Sequence, residues 1–235
     1  MSYRISYQIK NIKMKKFLIA LCALALSTVA FAQEAQKDEI EATPELKALN
    51  IAAQLAKYGY ESNSAVALIE AAKIFSGIKV GDLEATKDAS ASQTVTEKEK
   101  KISYDPKQLL ADAKKLAEKN DVVLALADQV ESDMKRATRG AVGGPKAMND
   151  RVYGKDTEAY HVKFWANEKA EVCVSGDGDT DLDLYVYDEN GNLIGKDDDY
   201  SDDCVVRWYP KWTGSFIIKV VNRGAIYNNF TIWTN

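Results

Sequence analysis

The feature that most constrains this chain is an abrupt change of composition in its middle. From Thr43 to Arg136 it is rich in Ala, Leu and Lys and contains no Trp and no Cys, whereas from about Met148 onward it turns rich in Val, Tyr, Trp, Gly and Asp. The join, residues 137–147, reads ATRGAVGGPKA, and its Gly-Gly-Pro marks an irregular linker. Apolar periodicity changes at the same place, from one side chain every three to four residues to strict alternation. The expected fold class is therefore α+β, with α-helical hairpins over 33–136 followed by an antiparallel β-sandwich, jelly-roll-like, over 148–235.

In the first half, Thr43 with Pro44 behind it opens a helix carrying Leu46, Leu49, Ile51, Ala52 and Leu55, closed at Gly59. Ser62 or Asn63 can cap a second helix with Val66, Leu68, Ile69, Ala72 and Ile74, ending at Gly77. A weakly patterned polar stretch near 86–101 is expected to be mobile. Asp105-Pro106 then starts a third helix through Leu109, Leu110, Ala113 and Leu116. Asn120 or Asp121 caps a fourth, with Val123, Leu126, Ala127 and Val130 inward. Leu55-Ala56 against Leu116-Ala117, and Ala67-Leu68 against Ala125-Leu126, give a loose internal likeness compatible with helical-hairpin repeats or with an ordinary bundle.

The amino terminus reads as a secretory signal. Lys13, Lys15 and Lys16 precede an apolar run from Phe17 to Phe31, and Ala30-Phe31-Ala32 supplies an A-x-A-like cleavage site. Met14 is the expected true start. The run is short for a membrane span, which needs about 20 apolar residues. Cys22 lies too early in the run, after Leu21, to be a lipid-modified cysteine. An exported protein, periplasmic or secreted, is the expected localisation. Loss of residues 1–32 removes five basic residues and no acidic ones, leaving 26 basic and 35 acidic, net −9. That charge argues against a nucleic-acid partner or an anionic membrane surface. The two cysteines left, Cys173 and Cys204, are read as a disulfide in an oxidising compartment.

In the second half, alternating runs at Tyr160–Trp165, Ala170–Val174, Asp181–Tyr187, Val205–Tyr209, Phe216–Val221 and Phe230–Trp233 predict the strands of the sandwich. Asn190-Gly191 signals a two-residue hairpin turn. That turn pairs Tyr187 with Ile194, Tyr185 with Lys196, and Asp183 with Asp198. The segment 177–203 contains ten Asp and one Glu against the single Lys196. Like charges opposed across a hairpin destabilise it. Either a cation binds at its open end or the end is a solvated acidic rim. Oxygen-preferring calcium is the candidate, with Asp177, Asp179, Asp181, Asp183, Asp197, Asp198 and Asp199 as candidate ligands. A helix-loop-helix calcium loop is excluded, because Leu182 stands where that loop needs Gly and the following residues alternate as a strand.

The run Asp181-Leu182-Asp183-Leu184-Tyr185-Val186-Tyr187, the turn Asn190-Gly191, the Asp197–Asp199 run and the stretch from Tyr209-Pro210 through Gly214-Ser215-Phe216 to Val220 together resemble the bacterial pre-peptidase C-terminal domain. The resemblance covers about residues 150–235 and leaves the helical half unassigned. It implies a small β-sandwich that serves as an accessory module, in some relatives a calcium-binding one. No protease sequence precedes the domain here, which departs from the family's usual arrangement.

Catalysis finds little support in these residues. A Ser-His-Asp or Cys-His site would have to use His161, the chain's one histidine, and a lone His in a strand is read as structural. A paired-carboxylate hydrolase would need two acids flanking a cleft, whereas the acids here share one rim. The expected function is an exported, non-catalytic binding or accessory protein with a protein or polysaccharide ligand. A carbohydrate-binding module is the alternative and a secreted hydrolase the weakest reading. Trp208, Tyr209, Trp212 and Trp233 are the aromatics that could stack on sugars, although several are expected to fill the core. A row of exposed Trp or Tyr on one sheet face would favour the carbohydrate reading.

Overall fold

The computed structural model describes residues 40–89, 102–136 and 144–235. The expected signal segment 1–32 with Met14, most of the polar stretch near 86–101, and linker residues 137–143 lie outside these. The chain divides into Met1–Glu41 and Ala42–Asn235, and the architecture below belongs to the second unit.

Among the described residues four helices precede most of the strands, α1 (Pro44–Glu61), α2 (Ala65–Gly77), α3 (Pro106–Ala117) and α4 (Asp121–Arg136). Pro44 takes the first helical position of α1, as expected, but Thr43 makes no side-chain cap. Its backbone N–H instead donates to the buried Glu171 carboxylate at 2.7 Å. The cap of α2 is Ser64, whose hydroxyl accepts from the Ala67 N–H, one residue beyond the candidates Ser62 and Asn63. Asp105 caps α3 and Asn120 accepts from Val123 at the start of α4. The small apolar faces Leu46, Leu49, Ala52, Ala53 and Ala56 on α1 meet Leu68, Ile69, Ala71 and Ala72 on α2 and Leu109, Leu110 and Ala113 on α3. Alanines at these positions let the helix axes approach closely.

Ten strands among the described residues make two five-stranded sheets. Sheet A runs β1 (Gly81–Asp82), β3 (Lys146–Val152), β10 (Asn228–Thr234), β5 (Ala170–Gly176) and β8 (Asp203–Trp208). Sheet B runs β2 (Thr86–Lys87), β4 (Thr157–Phe164), β9 (Gly214–Asn222), β6 (Leu182–Tyr187) and β7 (Leu193–Asp197). All pairings are antiparallel except β1 with β3. The inner faces interdigitate Val162, Phe164, Leu182, Leu184, Val186, Phe216, Ile218 and Val220 of sheet B with Val172, Val174, Val206, Phe230 and Ile232 of sheet A. The α+β class with a β-sandwich is thus what the chain adopts. Thr86 and Lys87, expected in the mobile stretch, form a short strand on the edge of sheet B.

The helices do not stand apart from the sandwich. Their core cluster takes in Cys173 and Trp233 of sheet A, with Ala147 and Val205 packed against it, so the helical layer covers the outer face of sheet A. The compositional boundary therefore separates two layers that share a core within one compact unit.

Candidate functional site

The acidic segment was expected to gather a cation at the open end of the β6–β7 hairpin. The register agrees with expectation over Leu184–Asp197, Tyr185–Lys196 and Val186–Gly195, then slips by one so that Tyr187 pairs with Leu193 instead of Ile194. The cause is the turn. Asp188 accepts hydrogen bonds from the backbone of Asn190 and of Asn192 and from the Asn192 side chain, and Gly191 adopts φ 81°. That is a three-residue loop with glycine in the left-handed position rather than a two-residue turn, and a bulge absorbs the extra residue. β7 ends at Asp197, so Asp183 pairs with Val221 of β9 and not with Asp198.

Each candidate carboxylate has a local fate. Asp183, 3% exposed, is ion-paired with Arg223 and accepts from the Tyr185 hydroxyl at 3.0 Å. Asp177 accepts from the backbone and side chain of Asn229. Asp197 accepts from the Val205 N–H, Asp198 pairs with Lys196, and Asp199 accepts from the Ser201 N–H. Asp179 is exposed. Asp181 has a buried oxygen without a hydrogen-bond partner, and burial together with the neighbouring Asp183 raises its carboxyl above the ordinary range. Among the described residues no group of three or more His, Cys, Asp or Glu is gathered for a metal ion. Of the seven carboxylates expected as calcium ligands, Asp177, Asp183, Asp197, Asp198 and Asp199 have the partners above, and Asp181 keeps a buried oxygen without one.

The charge problem is met from within the chain. Lys57 of α1 reaches into the sheet with its Nζ 2.7 Å from both Asp202 and Asp203, and its side chain is only 10% exposed. Asp202 also accepts from the Gly178 N–H at 2.6 Å. Beside it Tyr104 donates to the Gly176 carbonyl, and burial and then Asp203 and Asp202 push its phenol up. Arg223 serves Asp183 in the same way. Neither cation was singled out by sequence reasoning, although Lys57 falls four residues after Ala53 in the apolar stripe of α1, where a solvated lysine would not belong.

The disulfide expected between Cys173 and Cys204 is not formed, and both thiols are free and buried. They lie on adjacent strands, Cys173 opposite Val205 and Cys204 opposite Val174. Cys173 faces the helices while Cys204 faces the sandwich interior, on opposite sides of one sheet, and bridging them would need backbone movement. Burial, then Glu171, pushes the Cys173 thiol up to about 12, and burial raises Cys204 as well. A buried thiol with a raised pKa holds little thiolate at neutral pH.

The aromatics sort by face. Trp208 packs edge-on against Phe164 in the sandwich core and Trp233 lies under the helices. Trp212 stacks on Phe216 beside a cavity of about 350 Å³ bordered by Asp188, Ile194 and Tyr209, and Tyr209 is exposed. The outer face of sheet B, which sequence reasoning did not single out, is different. Odd-numbered residues of β4, β6 and β9 point there, and they are half-buried or exposed, except Asp183. Tyr185 and Tyr187 lie side by side with ring centroids 6.4 Å apart. The Lys219 ammonium sits 5.0 Å from the Tyr187 ring, and that of Lys163 sits 4.8 Å from the ring of Trp165, itself 57% exposed. His161 shares this face and contacts Asp88 at 3.0 Å on the exposed edge.

No protein-family model and no curated protein matches the chain. Solved structures similar to it include the pre-peptidase C-terminal domain of collagenase from Bacillus anthracis, with 10% identity, TM-score 0.34, and 38% of this chain and 87% of that one covered. Another is PliG, a periplasmic inhibitor of g-type lysozyme from Aeromonas hydrophila, with 16% identity, TM-score 0.32, and 42% and 91% covered. A third is the Yersinia pseudotuberculosis-derived mitogen, with 14% identity, TM-score 0.32, and 40% and 86% covered.

Proposed function

We propose that this chain is an exported, non-catalytic binding protein that takes a carbohydrate on the outer face of sheet B. One observation carries this reading. The helices cover the outer face of sheet A, while the opposite outer face presents the half-buried Tyr185 and Tyr187 of β6, and the exposed Trp165 follows the end of β4 beside Lys163. Aromatic rings offer flat apolar area to the C–H face of a sugar at little entropic cost, and a sheet holds them in place. No described helix is long and apolar enough to cross a membrane.

Affinity electrophoresis through gels containing a panel of neutral and acidic polysaccharides tests the reading. The wild type is expected to be retarded by at least one polymer, and the Trp165→Ala/Tyr187→Ala variant to run free with an unchanged thermal transition. Unretarded wild type across the whole panel, or a variant retarded as strongly as wild type, would overturn it.

A further inference from the structure

We infer that the ligand of this face is an acidic glycan, one whose sugars carry carboxylates. This rests on the outer face of sheet B being the ligand surface and adds the charge of what binds there. The chain as a whole is acidic, net −4, and its carboxylates crowd the 177–203 segment. The outer face of sheet B gathers basic residues. It carries Lys163, Lys196, Lys219 and Arg223. The acids near them are Asp183, covered and spent on Arg223, Asp198, spent on Lys196, Asp181, in register with Arg223, and Asp88, which contacts His161 at the edge.

Lys163 and Lys219 are the informative pair. No described carboxylate pairs with either, and each ammonium instead lies over an aromatic ring, of Trp165 and of Tyr187. The same combination thus occurs twice on one face. Lys163 lies on β4 opposite Ser215, Lys219 on the adjacent β9, and Tyr187 on β6 opposite Ile217, so Lys163 and Tyr187 stand two strands and two residues apart, roughly 12 Å at ordinary strand spacing and rise. Between them the floor is Ser215 and Ile217, small or apolar, with His161 opposite Ile217. A ring beside an ammonium fits a sugar whose apolar face stacks while its carboxylate takes the cation. Two such units on one flat sheet suit consecutive parts of a polymer. A nucleic acid would also supply rings and negative charge, but its one charge per 1.7 Å of duplex axis would bring many phosphates against the acidic remainder of the chain.

The test uses the full chain with polygalacturonate, alginate and hyaluronan, and with the carboxyl-reduced, neutral form of whichever binds. Binding is expected to an acidic polymer, to weaken about tenfold or more on carboxyl reduction, and to weaken similarly between about 50 and 500 mM salt. Lys163→Gln/Lys219→Gln should lose this binding and keep its thermal transition. Lys47→Gln/Lys73→Gln, which removes the same charge from the exposed helical surface, should retain it. A carboxyl-reduced polymer that binds as well as its acidic parent would overturn the acidic assignment and leave the binding face standing. Failure of every polymer, neutral ones included, would instead remove the binding face itself. Tighter binding of a single-stranded oligonucleotide than of any glycan would overturn the ligand class.

Discussion

Replacing Lys57 by Met would keep the stem that α1 packs against the sheet and delete the charge shared by Asp202 and Asp203. Removing one partner of a buried ion pair costs about 3–5 kcal/mol because the other is left uncompensated. Two carboxylates are stranded here, so a lower unfolding midpoint is the first expected outcome. The second is more diagnostic. Millimolar calcium should raise the midpoint of Lys57→Met more than that of the wild type, whose Asp202 and Asp203 already share Lys57, by giving those two carboxylates an outside cation. Equal calcium shifts in the two proteins would show that Lys57 is not the internal counter-ion. Asp181 is the opposite case, a carboxyl raised by burial and by Asp183 with only partial relief from Arg223. An acid whose folded pKa lies above its unfolded value contributes stability that is full below the unfolded value, about 4, and is lost as pH rises through the folded one. Asp181→Asn should therefore unfold at a higher temperature than wild type at pH 7, with the gap closing as the pH is brought below 4. A gap that is constant with pH would mean that ionisation of Asp181 is not the cause.

At the scale of elements, the β6–β7 hairpin turns on Gly191. Nothing lies within 4 Å of a Cβ built there, so Gly191→Ala would be strained only by its φ of 81°, at a cost of about 1 kcal/mol in chemical unfolding. Gly191→Asn should cost less, because asparagine tolerates the left-handed region. Equal losses for the two would point to a contact rather than to backbone strain. The same hairpin shows how far the sequence could be read. Alternation of Leu182, Leu184 and Val186 reveals the strand and its inner face, and those residues are buried as expected. Asn190-Gly191 also reveals that a turn is there. Its length depended on Asp188, whose carboxylate organises Asn190 and Asn192 and adds a residue to the loop, and no propensity at Asn-Gly reports that. β3 was missed for a related reason. Its sequence KAMNDRV has no apolar alternation, and its place is held by a full ladder to β10 and by Asp150, which takes both Lys87 and the Tyr160 hydroxyl. The Lys57 and Arg223 ion pairs lie 145 and 40 residues from their partners in sequence, beyond the reach of any local pattern.

Over the whole molecule, composition suggests two parts that fold separately, and the packing ties them together. Trp233 on the outer face of sheet A stacks on Phe75 of α2 at 6.2 Å and tilts against Tyr104 at 5.7 Å, with Cys173 in the same cluster. Lys57 and the Thr43–Glu171 bond add polar links across the same junction. A sheet whose outer face bears Trp233, Cys173 and Val205 would expose them to water if the helices were removed, and would leave Asp202, Asp203 and Glu171 without their helical partners. Residues 144–235 expressed alone are therefore expected to bind a hydrophobic dye and to lack the sharp thermal transition of the full chain. Trp233→Ala in the full chain provides the independent check. Truncating a buried Trp costs about 3–5 kcal/mol, and where that cost appears distinguishes the arrangements. With a shared core, near-ultraviolet ellipticity, which reports the sandwich aromatics, and ellipticity at 222 nm, which reports the helices, should fall together in one transition moved to lower temperature. Were the layers independent, the two signals would separate, or the fragment would melt as sharply as the full chain, and the helical layer would be an appendage rather than half of the core.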